Sequence, residues 1–374
     1  MIFMRRTALS LLMAATALCT HASDDLRMVV GTYTDTGSDG IYTYVFNQQT
    51  GSAHVLDSLS LRDPSYLTIT HDGRMLYAVS ERPDSTASLS AIRLNAVTGH
   101  MTFVNTQPTG GADPCYVETR GRIALTANYT GGNMSVFPIR EDGSLGPREA
   151  LYKGHITNEP APQQVPHIHM TRFLSDSVIL ASDFSADQLL RFRTDGQKVW
   201  SDGVAGKLLP GSAPRHMEFS ADHRFVYVMS EMAGTVTVFR NNHAVLERIQ
   251  TIASDSVGGR GGADIHLSHD GRYLYASNRL KADGISIFKV NGKTGLLKKV
   301  GYVRTGIHPR NFNITPNDQF LLCACRDSNV IEVYRRDTVS GSLTLSSRLK
   351  VKKPVCIKFV TTSLSAGSQS TVCR

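Results

Sequence analysis

The sequence predicts an all-β chain folded as a seven-bladed β-propeller, and three observations predict it. One phrase recurs seven times, with starts near residues 63, 113, 166, 213, 262, 308 and 353, and self-similarity at such a period is the mark of a blade array. Each full copy carries short runs of alternating β-branched and aromatic residues separated by Asp, Asn and Gly, the pattern of strands joined by tight turns. The seventh copy ends after one strand, and the segment ahead of the first copy contains the strands it lacks.

Taken in order, the chain opens on Arg5 and Arg6, an apolar run from Ala8 to Leu18 and the small residues around Thr20, His21 and Ala22, followed by Ser23, Asp24 and Asp25. That is the layout of a secretory signal cut after Ala22, so an exported, periplasmic protein is expected. Lipid attachment at Cys19 is disfavoured, because Leu18 stands where a small residue is required. Two strand-like runs follow, Met28 to Tyr33 and Gly40 to Phe46, with a turn at Thr50 and Gly51.

The phrase then reads DPSYLTITHDGRMLYAVSE from Asp63, DPCYVETRGRIALTANY from Asp113, PHIHMTRFLSDSVILASDF from Pro166, APRHMEFSADHRFVYVMSE from Ala213, GADIHLSHDGRYLYASNR from Gly262, HPRNFNITPNDQFLLCACR from His308 and KPVCIKFV from Lys353. In each copy an inner strand runs to a turn such as HDGR or PNDQ and returns as a second strand. A third follows, as in TVTVFR from Thr235, and often a fourth after a turn such as NGKTG. Residues 23–374 therefore form one domain in which Val355 to Val360 pairs with Met28 to Tyr33, closing the ring and leaving no open array edge. A pair of β-sandwiches would not explain seven copies of one phrase, and the single tryptophan, Trp200, excludes a WD40 repeat.

Removing residues 1–22 takes away Arg5 and Arg6 and lowers the formal charge from +8 to +6. No dense run of Lys and Arg interleaved with aromatics is present, so nucleic acid is not an expected partner, while small anions are favoured over cations. After residue 22 no stretch has the roughly 18 apolar residues of a membrane span. The remaining cysteines, Cys115, Cys323, Cys325, Cys356 and Cys373, lack metal-site spacing, and Cys323 and Cys325 share one strand face as buried thiols.

Aligning the copies on their turns places Ser65, Cys115, His167, Arg215, Ala263, Arg310 and Val355 where each inner strand begins. Glu81, Tyr129, Asp183, Glu231, Arg279 and Arg326 fall where the second strands end. These two positions meet at one mouth of the central channel, so three carboxylates, four arginines and a histidine converge there. A ring of solvated ion pairs is the architectural alternative to a reactive site. His169 shares a strand face with His167, and His266 lies on an inner strand. No third ligand accompanies the His-x-His pair, and neither a metal nor another cofactor is expected.

The segments GTYT at Gly31, PSYL at Pro64, PHIH at Pro166, PRH at Pro214, SNR at Ser277 and HPRNF at His308 occur in an order that resembles the β-propeller lactonases, the family of bacterial 6-phosphogluconolactonase and fungal carboxy-cis,cis-muconate cyclase. The resemblance spans nearly the whole chain after residue 22. It implies a metal-independent seven-bladed enzyme whose site combines a histidine, two arginines and a glutamate. Those correspond to His167, Arg215, Glu231 and Arg279. From their own places on the inner strands, His169, His266 and Arg310 are expected as further substrate contacts. The expected activity is hydrolysis of a sugar-derived lactone. A muconate-type cycloisomerase and a non-catalytic binding propeller are the alternatives. Export departs from the cytosolic setting of 6-phosphogluconolactone chemistry and leaves the choice of lactone open. The mouth residues are expected on the solvent side of the channel, where substitution costs little stability.

Overall fold

The computed structural model describes residues 24–157, 165–255 and 257–361. The expected leader and Cys373 lie outside them. The described chain forms seven four-stranded antiparallel sheets. Six are built from consecutive strands. In the seventh the C-terminal strand Pro354–Phe359 is innermost, and it pairs with Asp25–Thr32 in the register Met28 to Phe359 and Val30 to Ile357. The expected closure by the two ends of the chain is therefore present.

Local chemistry explains the repeated turns. In HDGR the Thr70 hydroxyl donates to Asp72 Oδ1, the same oxygen accepts from the Arg74 amide, and the Gly73 amide donates to the Thr70 carbonyl. Ser220, Ser268 and Thr315 repeat the hydroxyl-to-side-chain bond, to Asp222, Asp270 and Asn317. The residue after each acid or amide takes positive φ, 71° at Gly73 and 68° at Gly271, but 55° at His223 and 61° at Asp318.

Adjacent blades lock through a second repeated contact. The glycine of an outer hairpin sits on a large side chain of the preceding blade. A Cβ on Gly341 would lie 2.3 Å from the Tyr273 ring, and one on Gly295 the same distance from Phe225. Both glycines have φ near +75°, at +76° and +74°, so neither the backbone nor the space admits another residue readily.

The inner strands carry side chains at successive depths of the channel. Thr68, Glu118, Arg172, Glu218, His266 and Asn313 all pair with the residue three positions before the end of their second strand, in one common register. This polar ring lies three residues along from Ser65, Cys115, Arg215, Ala263 and Arg310, the strand starts at the mouth.

Candidate functional site

The ladder of hydrogen bonds fixes which residues reach the mouth. Where each second strand ends, its next amide donates back to a carbonyl just ahead of the inner strand: Glu81 to Asp63, Tyr129 to Asp113, Glu231 to Ala213, Arg279 to Gly261 and Arg326 to His308. In the blade from Ile168 the donor is Phe184 and the acceptor His167. Phe184, not Asp183, is thus the outgoing residue. Ile168 pairs with Asp183 as Pro214 pairs with Ser230, so His169 takes the register of Arg215 and His167 that of Ala213. Alignment on the turns therefore sets this blade's incoming residue two positions early and its outgoing residue one position early, because strand pairing sets the register. Asp183 is held away from the mouth by the His155 amide and ring at 2.9 and 2.8 Å and by the Gln188 amide at 2.8 Å.

Two ion clusters stand at the mouth. In the first, Glu231 Oε2 lies 2.8 Å from Arg215 Nε and 3.0 Å from Arg279 Nη2. Burial works against ionisation of Glu231, but Arg279, Arg215 and Arg310 outweigh it and hold the carboxyl below its usual range. In the second, Arg310 Nη2 lies 3.0 Å from Glu81 Oε2, and Tyr33 donates to Glu81 Oε1 at 2.8 Å. The Arg310 guanidinium also rests 5.4 Å from the Tyr33 ring centroid. Tyr33 is the outgoing residue of the composite seventh blade, its amide bonded to the Lys353 carbonyl. Turn alignment missed it because its strand comes from the other end of the chain, although the GTYT segment contains it.

Three histidines border these clusters. His167 stacks on Tyr129 at a centroid distance of 4.1 Å, and its Nδ1 lies 2.8 Å from the Tyr129 carbonyl. That carbonyl only accepts, so Nδ1 carries a proton, and in the neutral ring Nε2 is the acceptor. His169 is buried against Cys115 and Phe184, and burial together with Arg215 keeps its ring neutral. His308 lies between Arg279 and Arg326. Contrary to the solvent-side expectation, Arg215 is 2%, Arg279 6% and His167 7% exposed.

Below the mouth lies a polar column that the sequence reading did not assemble. His216 Nδ1 is 2.7 Å from Asp264 Oδ1, and Asp264 Oδ2 is 3.1 Å from His266 Nε2. His266 Nδ1 in turn lies 3.3 Å from Glu218. His266 therefore does not join the mouth. It lines a chamber of about 160 Å³ with Tyr66, Tyr116, Glu118, Arg172 and Lys358. The signal for this column was the alternation within PRHMEF and GADIHL, whose polar residues occupy consecutive depths. A larger cleft of about 1440 Å³ opens beside the HDGR turn and shares no residue with the mouth. Its lining carries no comparable convergence of buried charge.

Fold and mouth together define a propeller with a half-buried glutamate clamped by two buried arginines, and with a histidine stacked on the outgoing Tyr129 of another blade. Residues 27–359 match the family described as Lactonase, 7-bladed beta-propeller, and the chain belongs to that family. It is 32% identical over 345 residues to the 6-phosphogluconolactonase of Bacillus subtilis, a match covering 88% of this chain and 97% of the relative. Its structure resembles that of a Bacteroides uniformis protein at 52% identity and a TM-score of 0.87, covering 90% of this chain and all of the other. A periplasmic gluconolactonase of Pseudomonas aeruginosa is similar at 30% identity and a TM-score of 0.85, covering 90% of this chain and 99% of that one.

Proposed function

We propose that the protein hydrolyses a sugar lactone at this mouth. The observation that carries the reading is Glu231 clamped between Arg215 and Arg279, with His167 held on Tyr129 at the same rim. Opening a lactone requires water to attack the carbonyl carbon, the carbonyl oxygen to take negative charge, and the ring oxygen to leave with a proton. His167 Nε2 accepts the proton of the attacking water and returns it to the leaving alkoxide. Glu231, made a poor base by its two guanidinium partners, fixes Arg215 and Arg279 so that their remaining N–H groups meet the oxyanion. His169 and Arg310 complete the wall that the sugar meets. The similarity to 6-phosphogluconolactonase and gluconolactonase supports the substrate class. Purified protein tested against phosphorylated and neutral sugar lactones should accelerate opening of at least one above the spontaneous rate. No acceleration across the panel would overturn the reading.

The signal-like residues 1–22 and the similarity to a periplasmic gluconolactonase support export as a second part of this proposal. Mass spectrometry of the protein from its native host should find an N-terminus near Ser23, and an intact Met1 would contradict it.

A further inference from the structure

We propose that Asp264 is a positioning residue for lactone opening: it ties together the three inner strands that carry Arg215, Ala263 and Arg310, and so sets the spacing of the two ion clusters of the mouth. The proposal rests on the lactonase reading above and adds a residue that acts on the mouth without touching the substrate.

Strand pairing does not reach the mouth arginines. Pro214 pairs with Ser230 and the next paired residue is Met217, so Arg215 and His216 lie in a bulge. Gly262 pairs with Asn278 and Ile265 with Ala276, which leaves Ala263 and Asp264 outside the ladder. Arg310 is skipped in the same way between Pro309 and Asn311. A bulge re-aims a side chain at the cost of the pairing that would hold it. Contacts with neighbouring blades take over that task. The Arg215 carbonyl accepts from the Ser182 hydroxyl at 2.9 Å, and Arg215 Nη1 donates to the Ala263 carbonyl at 2.8 Å.

Asp264 is the centre of these contacts and is 1% exposed. Its Oδ1 accepts from His216 Nδ1 at 2.7 Å and from the Ile265 amide at 3.0 Å. Its Oδ2 accepts from His266 Nε2 at 3.1 Å, from the Phe312 amide at 3.2 Å and from Asn311 Nδ2. Donors from three blades thus meet on one carboxylate. Burial opposes its ionisation, but His266 and His216 outweigh it and hold the carboxyl well below its usual range. His216 directly follows Arg215, and Asn311 directly follows Arg310, so each contact acts one residue away from a mouth arginine. Asn311 Oδ1 carries the lacing on to the closing strand, accepting from the Ile357 amide at 2.7 Å. An asparagine at position 264 would offer these donors a single oxygen and turn an N–H toward some of them, so it cannot hold all three strands.

The test compares Asp264→Asn with Asp318→Asn in steady-state lactone opening, each variant checked by its melting curve. Asp318 is the control because it joins two of the same blades at the turn end, accepting from the His269 amide and ring at 2.9 and 3.0 Å. Both variants should melt earlier than the wild type. Only Asp264→Asn should lower kcat, by about tenfold or more with KM kept within about threefold, because a shift of about 1 Å in a group that meets the transition state costs that much. Asp318→Asn should keep the wild-type kcat. Equal kcat in the two folded variants overturns the positioning role, and so does a change in KM alone. If Asp264→Asn does not fold, His216→Gln decides, since it cuts the link beside Arg215: a lowered kcat at unchanged KM supports the role, and a wild-type kcat overturns it. A wild type that opens no lactone overturns the lactonase reading and this inference with it. Lactone opening in which Asp264→Asn matches Asp318→Asn overturns this inference alone.

Discussion

At the residue scale, Glu231 matters because it is the shared partner of two buried guanidinium groups rather than a free base. Replacing it with Gln leaves Arg215 and Arg279 facing each other without compensation, which should cost about 3 kcal/mol of stability, more than a solvent-facing residue would. Arg279→Ala removes a contact to Glu231 and to the substrate. It should raise KM if the lost N–H groups bound the ground state, and lower kcat if they served only the oxyanion; steady-state kinetics on the preferred lactone separate the two. Six of the seven inner-strand starts were legible in the sequence, from Ser65 to Val355, because the turns that anchor the alignment are chemically explicit. The fourth was not. PHIH and PRH share a proline, but hydrogen bonding puts His169 opposite the position that Arg215 occupies. Tyr33 escaped because a composite blade has no turn linking its inner strand to the next. The column of His216, Asp264 and His266 joins two depths of two inner strands, which pairing registers reveal and spacing alone does not.

At the element scale, the ring depends on one strand of six residues, Pro354–Phe359. Deleting residues from Pro354 onward exposes the edge of Asp25–Thr32 and removes Val355, Cys356 and Ile357 from the core. The truncated protein should lose the cooperative thermal transition of the full chain, and an unchanged midpoint by circular dichroism would show that closure is dispensable. The inter-blade glycines make a second prediction. Gly341→Ala must displace the Tyr273 ring and hold a left-handed backbone at φ +76°, so chemical denaturation should show a loss of about 1–3 kcal/mol. The sequence made closure legible through its truncated last copy. It did not show why the outer-hairpin glycines recur, since their partners lie in another blade.

At the scale of the whole molecule, the channel separates charge by depth, and pH should reveal it. Burial opposes protonation of His266, but Asp264 and Glu218 prevail and raise its pKa to about 9. Its stabilisation is complete below the unfolded value of 6.5 and is lost as pH rises through 9. His216 and His308 behave in the opposite sense. Burial and nearby arginines lower them to about 4 and about 2, so their contribution is present above 6.5 and declines as pH falls toward those values. Between pH 6.5 and 9.5 the thermal midpoint of the wild type should therefore fall more steeply than that of His266→Gln; parallel curves would place the proton elsewhere. The central claim is that the mouth is where a lactone is opened. The most direct test is a pH-stat measurement of sugar-lactone opening by wild type, Glu231→Gln and His167→Asn, each confirmed as folded and corrected for spontaneous hydrolysis. Folded variants should show kcat lowered by roughly 10²- to 10⁴-fold. Full wild-type rates in both folded variants would contradict the account and make the mouth an ion-pair ring.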